Sequence, residues 1–290
     1  MSLPSSVLII GSATIDTIVQ NQCRTRKIGG VVTYAGLTFR SLGIEVTILS
    51  NICLRDHAVH HLYEASGIQL IRGETILTTR FVNHLEGGYR WQEMPRKARR
   101  IDPSRHYSAI KEFDHIHLGP LHPEDYNPEF HSYLSNSSKL VTLDLQGFIR
   151  RIRHRRVTAG VSKHLHGALM ASNVVKSSIR ELETALDTYK MEAVDLVRQF
   201  KLSELLVTSG RGGGFVLTSQ NKKIEFAAKR IEKEMDPTGA GDVFLAAYLA
   251  HRFYQKQSIR DSLDQASSIA AKQVSGAFIP FEKLSLKSNT

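Results

Sequence analysis

Short apolar segments separated by helical patterns constrain the fold of this chain more than any other feature. The first apolar run covers residues 7–10 and ends at Gly11, a helical pattern covers 33–42, and a second apolar run covers 46–49. Four later runs repeat the theme, at 115–118, 140–143, 173–175 and 205–207. Because this alternation is typical of parallel strands joined by helices, it predicts an α/β fold with a mainly parallel sheet covered on both faces.

Two segments depart from that alternation. Residues 78–85 and 89–92 alternate in polarity around Gly87-Gly88, which predicts a β-hairpin that we interpret as a flap over the site. Residues 214–218 and 223–226 predict a second antiparallel hairpin, at a sheet edge. Between the two hairpins, the pattern over 181–200 predicts one helix.

The composition places the chain among globular proteins with a sizeable core. It has 290 residues, of which 41% are hydrophobic and 23% charged. Its apolar stretches are far shorter than the roughly 20 residues that a membrane helix needs. Cys23 and Cys53 are the two cysteines, so no disulfide framework is indicated. We therefore expect a cytoplasmic location and no membrane partner.

The formal net charge of +10 raises the question of a polyanionic partner. Much of the excess positive charge lies in two runs, residues 96–100 and 150–156. Neither run is interleaved with the aromatic side chains that a stacking platform for single-stranded nucleic acid needs. We interpret both runs as solvated or phosphate-steering surface, which makes nucleic acid an unlikely partner, and a contact with a polyanion stays open as the alternative.

Residues 236–242, Asp-Pro-Thr-Gly-Ala-Gly-Asp, precede an apolar helix over 243–250. Gly239 and Gly241 allow a tight turn and the close approach of a ligand. The free amides at the start of the helix then form an anion cradle, where Asp242 can accept a proton from an attacking hydroxyl group. The alternative is an ordinary helix start with an acidic residue in its first turn. Because the chain has neither a P-loop nor a strand-linked Gly-x-Gly-x-x-Gly motif, phosphate binding must rest on this segment.

Several motifs together resemble the ribokinase-like (PfkB) carbohydrate kinase family, from Gly11 to about Gly276. They occur in the family's order: Gly11 to Asp16, the pair Gly29-Gly30, Ser178 with Glu181 at an Asn-x-x-Glu position, Val207 to Gly213, and Gly-Ala-Gly-Asp at 239–242. The resemblance implies a three-layer sandwich with a mainly parallel central sheet and a small β lid. It also implies one kinase domain over residues 1–290, a lid from about 12–30 and 74–94, and a possible homodimer through the lid.

The resemblance assigns roles to individual positions. It makes Asp242 the general base and Gly239, Ala240 and Gly241 the anion hole, and Glu181 would organise a Mg²⁺ ion through water. The residues implied for nucleotide binding are Ser178, Thr208, Gly210, Gly213, Thr238 and Ala271. The cofactors implied are ATP and Mg²⁺.

One branch of the family, the myo-inositol kinase-like members, matches further details. These are Gly29-Gly30-Val31-Val32, Thr78-Thr79 with Asn83 and Arg90, and Asp144-Leu145-Gln146-Gly147-Phe148-Ile149-Arg150. The resemblance therefore implies an inositol-like acceptor bound by Asp16, Gly29, Gly30, Thr79, Asn83, Arg90, Gln146 and Arg150. Tyr34 stands where many sugar kinases of the family have asparagine, so the resemblance does not imply a ribose or fructose contact through an amide at that position.

The sequence thus predicts an ATP-dependent kinase that phosphorylates a hydroxyl group of a small polyol or sugar. Two alternatives stay open. A nucleoside kinase can use the same fold, and a non-catalytic regulator can retain the fold and bind nucleic acid through the basic runs.

Overall fold

The computed structural model describes residues 5–86 and 89–286. Its strands are β1 (Ser6–Gly11), β2 (Thr14–Gln20), β3 (Cys23–Gly29), β4 (Glu45–Ser50), β5 (Gln69–Arg72), β6 (Thr79–Glu86), β7 (Tyr89–Arg96), β8 (His115–Gly119), β9 (Leu140–Asp144), β10 (Arg150–Arg153), β11 (Arg156–Ala159), β12 (Val174–Ser178), β13 (Glu204–Thr208), β14 (Gly214–Thr218), β15 (Lys223–Phe226) and β16 (Ser285–Leu286). Its α-helices are α1 (Val31–Ser41), α2 (His57–Ala65), α3 (Tyr107–Ile110), α4 (Phe130–Ser135), α5 (Leu165–Met170), α6 (Ile179–Tyr189), α7 (Ala193–Gln199), α8 (Ala240–Leu249), α9 (Ile259–Val274) and α10 (Phe281–Leu284).

Within the described residues the larger sheet has nine strands, in the order β15-β14-β13-β12-β9-β8-β1-β4-β5. Pairing is parallel from β5 to β13, whereas β14 and β15 join antiparallel at one edge. The sheet is therefore mixed, with a parallel majority. The apolar runs of the sequence lie in its strands, and the hairpin predicted over 214–226 is confirmed at its edge.

The larger sheet is covered on both faces because its strands are apolar on both faces. Along β1, Val7 and Ile9 pack in a core formed with α1, α8 and α9, whereas Leu8 and Ile10 pack in a second core formed with α4 to α7. All four side chains are fully buried. Successive side chains of a strand point to opposite faces, so continuous apolar runs of this kind are expected where helices cover both sides.

The segment 181–200 is helical for most of its length, as the sequence predicts, but it is not one continuous helix. The structure has two helices there, α6 and α7, and Lys190 ends the first of them in the left-handed conformation, with φ 56°. Glu192 is extended and precedes the first residue of α7. Apolar periodicity continues across the break because both helices bury residues in the same core, and for that reason the pattern alone did not reveal the break.

A second sheet lies beside the larger one. In the described part of the chain it has seven strands, in the order β10-β11-β7-β6-β2-β3-β16. The predicted hairpin over 78–92 corresponds to β6 and β7, and its turn, Gly87-Gly88, lies outside the described residues. β2 pairs in parallel with β6 and antiparallel with β3. Consequently residues far apart in the sequence share one surface.

None of the helices described here is long and apolar enough to cross a membrane. Cys23 and Cys53 are free thiols.

Candidate active site

The segment 236–242 begins α8 as the sequence predicts. Gly239 caps the helix with a left-handed backbone, φ 78°, and its carbonyl accepts the amide of Val243 at 2.9 Å. Any side chain at this position would collide with the ring of Tyr34. Glycine is therefore required here both for its backbone conformation and for close packing.

The amides at the start of α8 differ in their availability. The amide of Ala240 donates to the carbonyl of Pro237 at 3.2 Å, so it is already satisfied. The amides of Gly241 and Asp242 have no acceptor among the described residues. Of the amides at this helix start, those of Gly241 and Asp242 are therefore available to an anion, and the anion hole itself stays a prediction.

A cavity of about 190 Å³ lies against this helix start, between the two sheets. Its wall combines carboxylates, cations, amides and a few apolar groups. The lining residues are Thr14, Asp16, Gly30, Val31, Tyr34, Phe81, Asn83, Arg90, Gln92, Leu121, Gln146, Arg150, Lys176, Pro237, Thr238, Gly239, Gly241 and Asp242.

Asp242 is half-buried in the first turn of α8. Desolvation of its carboxyl group raises its pKa to about 7, and the nearby carboxylate of Asp144 adds to the rise. Lys176 and Arg150 act in the opposite direction. A carboxyl group with a pKa near neutrality is suited to exchange protons with a hydroxyl group.

Lys176 is a site residue that the sequence reasoning missed. It lies on β12 opposite Asp144 of β9, and its amine donates to that carboxylate at 2.9 Å. Burial alone would lower the pKa of Lys176, but Asp144, Glu181 and Asp242 hold it above its usual value. The amine lies close to Gly241, since a Cβ atom there would be 3.0 Å from it. A lysine inside an apolar strand was the available signal.

Arg150 faces the cavity and is not part of the exposed basic surface. Its guanidinium donates to the Leu121 carbonyl at 3.1 Å and to the Gln146 side chain at 2.9 Å. Burial lowers the pKa of Arg150, and the carboxylates of Glu181, Asp144 and Asp242 oppose that effect. Arg150 and Gln146 therefore reach the cavity as a hydrogen-bonded pair.

On the other side of the cavity, polar atoms of the second sheet and α1 lack partners. Asp16 of β2 is 6% exposed, and burial raises its pKa to about 6, against the effects of Thr14 and Lys27. Its Oδ1 atom and the hydroxyl of Tyr34, which is 2% exposed, are buried without a hydrogen-bond partner among the described residues. Orphaned polar atoms that line a cavity indicate a polar ligand.

The remaining substrate positions predicted from the sequence are two cavity-lining side chains, two glycines and Thr79. Asn83 lines the cavity and accepts a hydrogen bond from Gln92 at 2.9 Å, and Arg90 lines it too. Gly30 caps α1 at φ 94°, and a Cβ atom on Gly29 would collide with the Asp16 carboxylate.

Thr79 is not part of the cavity wall. Its hydroxyl lies 3.3 Å from the Ser12 hydroxyl and accepts the Ala98 amide at 3.1 Å. Thr79 thus contacts residues near the end of β1, and its contact with a substrate stays a prediction.

A second buried cation supports the cradle from β3. Lys27 forms an ion pair with Asp236, whose other oxygen accepts the amide of Thr238 at 2.9 Å. The lysine amine also lies 5.9 Å from the centre of the Tyr34 ring. This ion pair joins the second sheet to the loop before α8, a contact that the sequence did not indicate.

The residues predicted to bind a nucleotide do not gather at this cavity, except Thr238. Ser178 caps α6, and the hydroxyl of Thr208 lies 3.4 Å from the Ser177 carbonyl. Gly210 and Gly213 form the turn between β13 and β14, with φ 53° and 79°. Ala271 lies on α9.

Glu181 lies close enough to Arg150 and Lys176 for its charge to affect their pKa values. One of its carboxylate oxygens accepts the Ser178 amide at 2.7 Å, which leaves the other oxygen free of that capping contact. Among the residues that the structure describes, no group of three metal-binding side chains occurs. This arrangement fits Mg²⁺, which retains several waters and binds through few protein groups together with phosphates.

Comparison with known proteins identifies the class. The model of the "pfkB family carbohydrate kinase" matches residues 104–277, more than half of the chain. The chain therefore belongs to the pfkB family of carbohydrate kinases, which confirms the family predicted from the sequence. A putative 1-phosphofructokinase of Mycoplasma genitalium is 28% identical over 105 residues, which are 35% of this chain and 34% of that protein. The chain thus matches about a third of that relative's length.

Solved structures share the fold over almost the whole chain. A pyrophosphate-dependent kinase in the ribokinase family, complexed with a pyrophosphate analog and myo-inositol, has a TM-score of 0.82 at 20% identity and covers 96% of this chain and 97% of its own. Ribokinase from Thermotoga maritima has a TM-score of 0.74 at 16% identity and covers 96% and 97%. The fold is therefore ribokinase-like.

Proposed function

We propose that the protein transfers a phosphoryl group from a phosphate donor to a hydroxyl group of a small polyol, with an inositol-like ring as the favoured acceptor. The observation that carries the proposal is the Asp242 carboxyl group, which lines a cavity at the start of α8 with a pKa near neutrality. The free amides of Gly241 and Asp242 lie beside it. A proton acceptor and an anion cradle are thus adjacent, as phosphoryl transfer requires.

The acceptor side of the cavity favours a ring with several hydroxyl groups. Asp16 Oδ1 accepts hydrogen bonds, Tyr34 can donate or accept, and the Asn83 and Gln146 amides can do both. A site built from such groups rejects analogues that lack a hydroxyl, because its own atoms are then left unpaired. A volume of about 190 Å³ suits one small ring and a phosphoryl group.

In the proposed reaction an acceptor oxygen forms the new bond to phosphorus while the bridging bond to the donor breaks. The carboxylate of Asp242 takes the proton of the acceptor hydroxyl. Lys176 and Arg150 stabilise negative charge on the transferred group, since both cations lie at the cavity wall. A bound Mg²⁺ ion would neutralise charge on the donor phosphates, and Glu181 would hold it through water.

ATP is the donor that the resemblance of the sequence implies. Thr208, Gly210, Gly213 and Ala271 would then border the nucleotide outside the described cavity, with Ser178 and Thr238 nearer the phosphates.

Pyrophosphate is a second candidate donor, favoured by one observation. The cavity is small and lined by three cations, Arg90, Arg150 and Lys176, whereas most of the predicted nucleotide positions lie outside it. A site for pyrophosphate needs cations to bind its phosphate groups, and it needs no pocket for a nucleotide base. The similarity in fold to a pyrophosphate-dependent kinase complexed with myo-inositol is consistent with this candidate.

We also propose that the seven-stranded sheet acts as the lid of a single domain over residues 1–290. Its β2 and β6 bring Asp16 and Asn83 to the cavity, and they belong to the segments 12–30 and 74–94 assigned to the lid. Homodimerisation through this sheet and a cytoplasmic location are parts of the same proposal. Size-exclusion chromatography with light scattering tests the dimer.

The decisive experiment is a matrix of donors and acceptors. ATP and pyrophosphate are each supplied with Mg²⁺ and with myo-inositol, ribose, fructose, adenosine or cytidine, and the phosphorylated product is measured. We expect turnover with myo-inositol or a related cyclitol. Activity confined to nucleosides would favour a nucleoside kinase, and no turnover together with salt-sensitive retention of DNA or RNA would favour a non-catalytic regulator.

A further inference from the structure

A second cavity, separate from the candidate active site, lies beyond the ends of β4 and β5. It has a volume of about 200 Å³ and shares no lining residue with the first cavity. Its wall contains part of the basic run 96–100, for which the proposed reaction has no role. The lining residues are Asn51, Gly73, Glu74, Arg99, Arg100, Ile101, Asp102, Arg105, His106 and Asn127.

Among the described residues, the arginines of this cavity wall have loosely held partners. Arg105 lies 3.5 Å from Asp102. The guanidinium groups of Arg99 and Arg105 lie 3.5 Å and 3.8 Å from the same carboxylate oxygen of Glu74. Those distances exceed the usual range of a hydrogen bond. The Glu74 side chain is 77% exposed, so its ion pairs contribute little. A ligand that carries more charge than a carboxylate can displace it from the two arginines.

Asn51, at the same cavity, has a side-chain oxygen that lacks a hydrogen-bond donor. The residue is 3% exposed, and its side-chain amide donates to the Arg99 carbonyl at 2.6 Å. Its Oδ1 atom is buried without a partner among the described residues, and a side chain at Gly73 would collide with it. Because Oδ1 is an acceptor, a complementary ligand must bring a hydrogen-bond donor.

We propose that this second cavity binds a small phosphate ester that carries free hydroxyl groups. The phosphate dianion pairs with Arg99 and Arg105 in place of Glu74, and a hydroxyl group of the ester donates to Asn51 Oδ1. A phosphate offers three oxygens and about two negative charges, and therefore competes with a single carboxylate for two guanidinium groups. This binding site is independent of the proposed reaction.

Calorimetric titration of the full-length protein with glycerol 3-phosphate tests the proposal. We expect a binding component that weakens about tenfold or more in Arg99→Ala/Arg105→Ala, because charge-assisted hydrogen bonds are lost. Glu74→Gln should strengthen the same component by about threefold or more, since the internal competitor for the arginines is removed. Arg198→Ala is the matched control, because Arg198 is similarly exposed and pairs with Asp195.

Two further arms separate the possible outcomes. Arg150→Gln, in the candidate active site, should leave this component unchanged while it weakens any second component. Ethyl phosphate, which has no alcohol hydroxyl group, and glycerate, which has no phosphate, should both bind less tightly than glycerol 3-phosphate. Binding that is unaffected by the double arginine substitution, or that is lost entirely in Arg150→Gln, would overturn the proposal.

Discussion

The Asp242 carboxyl group lies among charges of both signs, and this setting determines the pH range in which it could serve as the proposed base. Asp144 raises its pKa, whereas Lys176 and Arg150 lower it. Desolvation outweighs the two cations, so the pKa of the carboxyl group is raised to about 7. Its proton affinity is thus high enough to accept a proton and low enough for the group to be ionised at neutral pH.

Removal of this base should lower turnover while the fold is retained. We expect Asp242→Asn to reduce kcat by about 10²–10⁴-fold, which is the usual contribution of general-base assistance. Asp261→Asn is the control, since Asp261 is also an acidic residue in the first turn of a helix, α9, but lies outside the cavity. Steady-state kinetics and circular dichroism on both variants provide the measurement. Unchanged turnover in Asp242→Asn would contradict the assignment.

The dependence of kcat/KM on pH should report the ionisation of Asp242. Below about pH 7 the raised pKa keeps Asp242 protonated and unable to accept a proton, so kcat/KM should fall about tenfold per pH unit on the acid side. Arg150→Gln removes a cation that lowers this pKa, and the midpoint should therefore move to higher pH. Arg153→Gln, on the exposed face of β10, should leave the midpoint in place. A midpoint that moves to lower pH in Arg150→Gln would exclude Asp242 as the titrating group.

Tyr34 provides a test of acceptor recognition. Its buried hydroxyl has no partner among the described residues, so a bound polyol is its expected partner. Tyr34→Phe retains the ring against Gly239 and removes only the hydroxyl. We expect KM for the acceptor to rise about 2–10-fold, as for the loss of one neutral hydrogen bond, while KM for the donor changes little. An equal rise in the KM for the acceptor and the KM for the donor would contradict a specific contact between the Tyr34 hydroxyl and the acceptor.

At this scale the sequence indicated the residues that belong to recognisable motifs, such as Asp16, Gln146 and Asp242. It did not indicate Lys176 as a site residue, because a lysine within a strand has no motif of its own. The contact between Tyr34 and Gly239 joins residues about two hundred positions apart. Only the packing of α1 against α8 brings them together.

At the scale of elements, one ion pair joins two neighbouring strands beneath the site. Lys176 of β12 and Asp144 of β9 are register partners, and both side chains are buried. Lys176→Met leaves Asp144 as an unpaired buried charge, so we expect a loss of about 3–5 kcal/mol in the free energy of unfolding. Denaturant titration measures it.

The double variant Lys176→Met/Asp144→Leu separates pairing from packing. Since it removes both charges, most of the lost stability should return, although activity should not. A double variant as unstable as the single one would show that packing around the lysine stem, more than the ion pair, stabilises this part of the sheet.

The parallel strands β1, β4, β8, β9, β12 and β13 were predictable because each contains a short apolar run, although their order in the sheet was not. The polar strand β3 and the arginine-rich strands β10 and β11 have no such run and were not predicted individually. The break between α6 and α7 depends on Lys190 in a left-handed conformation, which lysine rarely adopts. Helices often end at a glycine in this conformation, and without a glycine the sequence did not indicate the end of α6. The start of α8, in contrast, was predictable from its glycines. Gly239 precedes the first residue of the helix, as the sequence predicts.

At the scale of the whole molecule, the cavity exists because two sheets meet at the start of α8. Lys27 of β3 reaches Asp236 before that helix, so the second sheet and the start of α8 are joined by a partly buried ion pair. The sequence predicted both parts separately. The contact between them depends on the relative placement of the sheets, which local patterns do not encode.

The choice of donor is also a property of the whole molecule, because Ala271, the proposed border of an adenine base, lies on α9 outside the cavity. Ala271→Trp would fill the predicted border of the base and leave the cavity wall unchanged. We expect KM for ATP to rise about tenfold or more, because a large side chain excludes the base from its site. Turnover with pyrophosphate should stay the same. Lys272→Trp, at the exposed neighbouring position on α9, is the matched control. Parallel losses with ATP and pyrophosphate in Ala271→Trp would show that α9 supports the phosphate site itself and borders no nucleotide.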